Sequence, residues 1–249
     1  MHPETLRIGP ATLMLGDAVE RMREIPDGSV DLVLTDLPYC SGATREAGRT
    51  SFSKKMVWRR DARWFGSDAM GTPAFVILSR LCALEWQRLL RPGGSVLAFI
   101  DKRMDGTLRA AIESADLHFV NEIIWDKVDF TLGSHFRLQH EKVLHLSKGK
   151  AVPPLRRDIG DVIQAKSIPS SRRLHPTEKP ALLLDTLLDV VGPADGTVLD
   201  CFAGSFSTVA VAVAKGRRAI GIERDSAFFD IGHQRIEALV ATMPAAAAA

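Results

Sequence analysis

Tyrosine is almost missing from this chain: Tyr39 is the only one in 249 residues, and aromatics of all kinds reach only 6%. Cysteine is scarce too, with three: Cys40, Cys82 and Cys201. An odd number without paired metal-ligand spacing argues against a disulfide framework or a zinc site, so no metal is expected and a reduced, cytoplasmic chain is. No apolar run is long enough to cross a bilayer, and the opening MHPETLRIGP has no signal-peptide core, so no membrane partner is expected. No internal repeat is present. Neither sign of charge dominates. The net charge of +2 does not by itself announce a polyanionic partner.

What charge there is falls unevenly. REAGRTSFSKKMVWRRDAR, residues 45 to 63, sets seven basic side chains against Glu46 and Asp61 and continues into Trp64 and Phe65. SKGKAVPPLRRDIGDVIQAKSIPSSRR, from Ser147, is similarly biased. Neither stretch has clear helical or strand periodicity. Positive charge interleaved with aromatics suits a phosphate backbone and exposed bases. A composition of 46% hydrophobic and 25% charged residues suits one domain over 1–249, and the basic bias makes 40–70 and 147–174 its candidate nucleic-acid-recognition insertions.

Seven segments have strand character: TLMLGD from Thr12, VDLVLTD from Val30, SVLAFID from Ser95, FVNEIIWDK from Phe119, KVLHLSK from Lys142, TVLDCF from Thr197 and AIGIER from Ala219. Helical spacing covers 73–90, 104–116, 179–191, 206–215 and 225–242, the first closed by the RPGG stop at 91–94. Strands alternating with helices predict an α/β fold: a single seven-stranded, mostly parallel sheet with helices on both faces.

Ligands in such sheets bind beyond the carboxyl ends of the strands. Four distinctive groups lie at those ends: LGDA (15–18), TDLPY (35–39), LDCFAGS (199–205) and GIERD (221–225). The first strand to raise a question is VDLVLTDLPYC, which closes on a carboxylate, a rigid bend and an aromatic ring in Asp36-Leu37-Pro38-Tyr39. A capped turn is one reading of it. In VLDCFAGSFST, Asp200 leads through Gly204 into a helix of small residues. Glycine permits close approach of a ligand, and a helix start favours negative groups. The next strand ends in Glu223, whose carboxylate can accept hydrogen bonds from ribose hydroxyls. This pairing points to a nucleoside-bearing cofactor without choosing one, since the full G-x-G-x-x-G pattern is absent.

These residues carry a resemblance. The sequence resembles the DNA amino-methyltransferases, in which Asp/Asn/Ser-Pro-Pro-Tyr/Phe forms the catalytic loop and Asp-Pro-Phe-x-Gly-Ser-Gly-Thr the cofactor loop. Asp36-Leu37-Pro38-Tyr39 matches the first and Asp200-Cys201-Phe202-Ala203-Gly204-Ser205-Phe206-Ser207 the second. HPTEKP at 175–180 and RPGG at 91–94 have counterparts as well, so the resemblance spans about residues 12 to 235. With the catalytic loop ahead of the cofactor loop, the motif order is the circularly permuted one of the β group.

The resemblance implies a Rossmann-like methyltransferase fold, S-adenosylmethionine as cofactor and double-stranded DNA as substrate, with the target base flipped out. Asp36 and the Leu37 carbonyl would hold the base amine, Pro38 would aim the loop and Tyr39 would stack on the base. Asp17, Ala18, Asp36, Lys179, Asp200, Phe202, Ala203, Gly204, Ser205, Glu223 and Arg224 would form the cofactor site. Asp17 also suits an N-cap, and Lys179 also suits a solvated position at a helix start. Two departures stand out. Leu37 replaces a proline, and Phe206 replaces the last glycine, so Phe206 must point away from the cofactor or the loop must differ.

The resemblance implies transfer to adenine N6. Cytosine N4 is the alternative within the enzyme class, and a non-catalytic DNA-binding protein on a degenerate fold the alternative outside it. The shortness of the 147–174 segment points to a short recognition site or to a homodimer sharing the duplex; a cognate restriction endonuclease and a bacterial or phage origin are further implications. His135, His140 and His145 recur at a spacing that fits no metal site, and Trp125 suits a core position.

Overall fold

The computed structural model describes residues 4–38, 71–131 and 135–244. Tyr39 and the 40–70 insertion lie outside the described residues. In chain order the elements are β1 (Thr5–Ile8), β2 (Ala11–Leu15), α1 (Ala18–Met22), β3 (Val30–Asp36), α2 (Thr72–Leu89), β4 (Leu90–Ile100), α3 (Asp105–Glu113), β5 (His118–Asp126), β6 (His140–Ser147), β7 (Val162–Gln164), α4 (Ala181–Val190), β8 (Thr197–Asp200), α5 (Ser207–Ala214), β9 (Arg218–Glu223) and α6 (Ser226–Ala241).

One nine-stranded sheet runs β1-β2-β9-β8-β3-β4-β6-β5-β7. From β2 to β4 the neighbours are parallel, while β1 is antiparallel to β2 and β6 is antiparallel to both β4 and β5. The expected seven-stranded, mostly parallel sheet is thus corrected to a mixed sheet of nine. All seven segments read from sequence are strands. The two unread ones, β1 and β7, are the edges, and their burial explains the miss. β1 has no fully buried residue, and only Ile163 is buried in β7, so neither offers an apolar run.

Two apolar layers flank the sheet. Val33, Ala98 and Leu144 face α1, α2 and α3 through Met22, Phe75, Trp86 and Ile112. Leu32, Leu34, Leu97 and Val143 face α4, α5 and α6 through Leu184, Val209 and Phe229. β3 lies between both layers, and every residue from Val30 to Thr35 is buried, as expected for a central parallel strand. Asp31 is buried within it, accepting from Arg91 Nη1 at 2.8 and 2.9 Å and from the Thr197 amide at 2.8 Å, which ties together the starts of β3, β4 and β8.

The helix expected to close before RPGG does so. α2 ends at Leu89 and the chain passes directly into β4, which includes 91–94. The extra residues are taken up where pairing moves from Val30↔Leu90 to Leu32↔Ser95. Gly93 has φ +81°, a conformation glycine adopts without strain.

Candidate active site

The parallel strands end at one edge of the sheet. Asp36, Asp200 and Glu223 are the last residues of β3, β8 and β9, and Asp17 follows β2, whose Leu15 pairs with Glu223. β6 runs the other way, so its second residue, Glu141, reaches the same edge. The antiparallel strand therefore contributes a carboxylate that parallel βα logic does not anticipate.

Lys179 organises the centre of this edge. Its Nζ lies 2.5 Å from Asp36 Oδ2 and 3.6 Å from Glu141 Oε2, and 4.8 Å from the centroid of the Phe99 ring. Glu141 in turn pairs with Lys127, and Lys127 Nζ lies 4.8 Å from the Trp125 ring centroid. Burial by itself pulls the Lys179 ammonium down, but the carboxylates of Asp36 and Glu141 outweigh it and hold its pKa above the ordinary lysine value. Burial pushes Glu141 up, and Lys179 and Lys127 more than offset that. Lys179 is only 6% exposed, so the solvated alternative does not hold. Four charged groups alternate in sign from β5 to β3.

Beside this network sits the loop after β8. Thr35 Oγ1 donates to Asp200 Oδ1 at 2.8 Å, as does the Phe202 amide at 3.2 Å, and burial pushes the Asp200 carboxyl up to about 6. Gly204 has φ +52°, and an added Cβ would meet the His175 ring at 3.1 Å. Its amide donates to Glu223 Oε2 at 2.7 Å, while the Arg224 and Asp225 amides donate to Oε1 at 2.8 Å each. Burial drives Glu223 up to about 7 despite these amides. The HPTEKP segment closes over the loop: Glu178 pairs with Arg235, whose Nη1 donates to the Ser205 carbonyl at 2.9 Å.

One cleft is lined by Asp36, Lys179, Asp200, Phe202, Ala203, Gly204 and Ser205 together with Phe99, His175 and Thr177. Asp17, Ala18, Glu223 and Arg224 are not among its lining residues, although Glu223 accepts from the Gly204 amide at the cleft wall. Asp17 is the N-cap of α1, accepting from the Val19 amide at 2.9 Å, and Ala18 is buried in the first turn. They stand beside Glu223, whose carbonyl accepts from the Gly16 amide at 2.9 Å. Of the catalytic tetrapeptide, Asp36 lines the cleft and Pro38 is half-buried next to it.

Both departures from the family pattern go into the core. Leu37 is 1% exposed and belongs to the layer that contains Phe75 and Trp86. Phe206 has φ 59° and no exposure. Its ring turns away from the cleft and fills the space over Gly221 and Gly232, where an added Cβ would come within 2.5 and 1.9 Å of it. Phe229 meets it edge-on at 5.9 Å. Sequence reasoning left out Glu141, Lys127, Phe99, Thr35 and, outside its quoted motif, His175. A carboxylate opening a strand that runs against its neighbours was the available signal for Glu141.

The row of carboxylates at the strand ends and the close approach at Gly204 fit a nucleoside-bearing cofactor. The comparisons agree in kind. A family described as DNA methylase matches residues 30–234. The Escherichia coli (strain K12) protein YubD is 31% identical over 233 residues, covering 94% of this chain and 93% of its own. Among solved structures, the M1.HpyAVI–SAM complex superposes with a TM-score of 0.65 at 18% identity, covering 91% of this chain and 99% of that one. The cytosine-N4-specific PvuII DNA methyltransferase does so at 0.70 and 16%, covering 93% and 90%. The chain belongs to the N6/N4 DNA methylase family.

Proposed function

We propose that this protein transfers a methyl group from S-adenosylmethionine to the N6 of an adenine flipped out of double-stranded DNA. The observation that carries this reading is the Asp36 carboxylate at the end of β3, held by buried Lys179 at the mouth of the cleft formed by the Gly204 loop. The bound cofactor would supply an electrophilic methyl group. Glu223 and the Asp200–Ser205 loop would hold it, with Asp17 on the neighbouring strand end.

An exocyclic base nitrogen is a weak nucleophile because its lone pair is delocalised into the ring. Asp36 and the Leu37 carbonyl are both acceptors, and together they would orient the amine and stabilise the positive charge that develops on it during transfer. Holding amine and methyl in line contributes further through proximity. Lys179 keeps the Asp36 carboxylate fixed in place. The side chain of Leu37 anchors the loop through the core, a role different from the ring stiffness of the proline it replaces.

Mass spectrometry of nucleosides tests this, using unmethylated genomic DNA incubated with the protein and S-adenosylmethionine, with Asp36→Asn alongside. N6-methyladenine from the native protein only is the expected result. N4-methylcytosine would keep the mechanism and correct the base. Neither product, with cofactor bound, would overturn the reading.

A further inference from the structure

The described residues 127–131 and 135–139, between β5 and β6, start from the edge that holds Asp36. At their base the Lys127 amide donates to the Gln139 carbonyl at 2.9 Å, and the Thr131 amide to the Leu138 carbonyl at 2.7 Å. Gln139 Nε2 donates to Asp126 Oδ1 at 2.9 Å. Above that base the side chains are unusual for a solvent-facing segment. Phe136 is 89% exposed and Phe130 is 56% exposed. The Arg137 guanidinium stacks on Phe130 at 4.6 Å; on the same segment Lys127 is paired with Glu141, and Asp129 lies 3.7 Å from Lys166. A phenylalanine held out in water beside an arginine is complementary to a stacked polyanion, which offers apolar base faces between phosphates.

The attachment of this segment matters as much as Phe136. Its first residue, Lys127, and the second residue of β6, Glu141, form the ion pair that continues through Lys179 to Asp36. Whatever the segment touches is therefore registered against the carboxylate that would hold the target amine.

We propose that Phe136 is a positioning residue that enters the base stack of duplex DNA beside the target and keeps the target base out of the helix. The proposal rests on DNA being the substrate. Arg137, braced on Phe130, faces the backbone next to the opened step. Unstacking a paired base is the step Phe136 assists; it takes no part in the transfer of the methyl group.

The test compares native protein and Phe136→Ala on two duplexes. Both carry the target sequence read from methylated genomic DNA; in one the target is paired, in the other it faces an abasic site and is already open. The exposed position leaves the fold of the variant intact, which thermal unfolding checks. On the paired duplex kcat/KM is expected to fall roughly 5- to 150-fold, the range spanned by stacking on one base. On the open duplex it stays near the native value, and Phe136→Tyr restores most of the paired activity. Equal loss on both duplexes, or no loss on the paired one, overturns the proposal while leaving the methyltransferase reading intact. Equal loss with conversion of a dimer to a monomer would make the segment a contact between copies and overturn it as well. A native protein inactive on both duplexes would remove both readings together.

Discussion

Lys179 Nζ stands 2.5 Å from Asp36 Oδ2, across 143 positions of sequence. Both groups are largely buried, so each is the main charge partner of the other, with Glu141 behind. Substituting Asp36 leaves the buried Lys179 ammonium with Glu141 alone at 3.6 Å, and fully breaking a buried pair costs about 3–5 kcal/mol, an upper bound here. Asp36→Ala is therefore expected to lower the unfolding midpoint as well as abolish methyl transfer. Asp36→Asn keeps the shape and an acceptor oxygen toward Lys179 while removing the charge. Substantial turnover by Asp36→Asn would remove the carboxylate from the mechanism.

Lys179→Met should act mainly on the chemical step. Without the ammonium, Asp36 loses its nearest counter-charge while Glu141 keeps Lys127, so the Asp36 carboxyl takes up a proton more readily. The expected result is a large fall in kcat with cofactor affinity nearly unchanged, and partial recovery at higher pH. A loss confined to cofactor affinity would instead make Lys179 a cofactor ligand.

Cofactor binding should depend on pH through Glu223. Burial lifts this carboxyl from 4.5 to about 7, so folding takes up a proton between those values. Its contribution to stability is present below the lower value and is lost as pH rises through about 7. A cofactor whose hydroxyls need the ionised carboxylate behaves oppositely, binding more tightly as pH rises through that value. Calorimetry should show affinity falling, with proton release, as pH is lowered through about 7, and Glu223→Gln should flatten the dependence. A flat profile in the native protein would take Glu223 out of the site.

Gly204→Ala is expected to weaken cofactor binding. The residue lies at φ +52°, and the new methyl would press on the His175 ring at 3.1 Å. Left-handed backbone costs an alanine about 1–2 kcal/mol before any contact is counted. Full cofactor affinity in this variant, measured by calorimetry, would show that the loop moves aside on binding.

Much of the fold was legible because the interior strands are apolar on both sides. VDLVLTD and SVLAFID declare themselves as buried strands, and their carboxyl ends locate Asp36, Asp200 and Glu223. β1 and β7 were not legible, since edge strands need few buried side chains. Lys179 was legible as a residue of interest but not as half of an ion pair. Its partners lie on β3 and β6, and spacing along the chain says nothing about charges that meet only after folding. The roles of Leu37 and Phe206 were hidden for a related reason: a motif shows which residue departs from it, not which side of the backbone the new side chain takes.

Phe206, wedged over Gly221 and Gly232, imposes an order on sequence change. Replacing either glycine first would force a methyl into the ring, and shrinking Phe206 first would open a void between β9 and α6. A lineage drifting back toward glycine at 206 must cross one of these valleys or change two positions together. Three residues separated in sequence are thereby bound into one heritable unit, and relatives that carry phenylalanine at this place in the cofactor loop are expected to carry the two small residues with it.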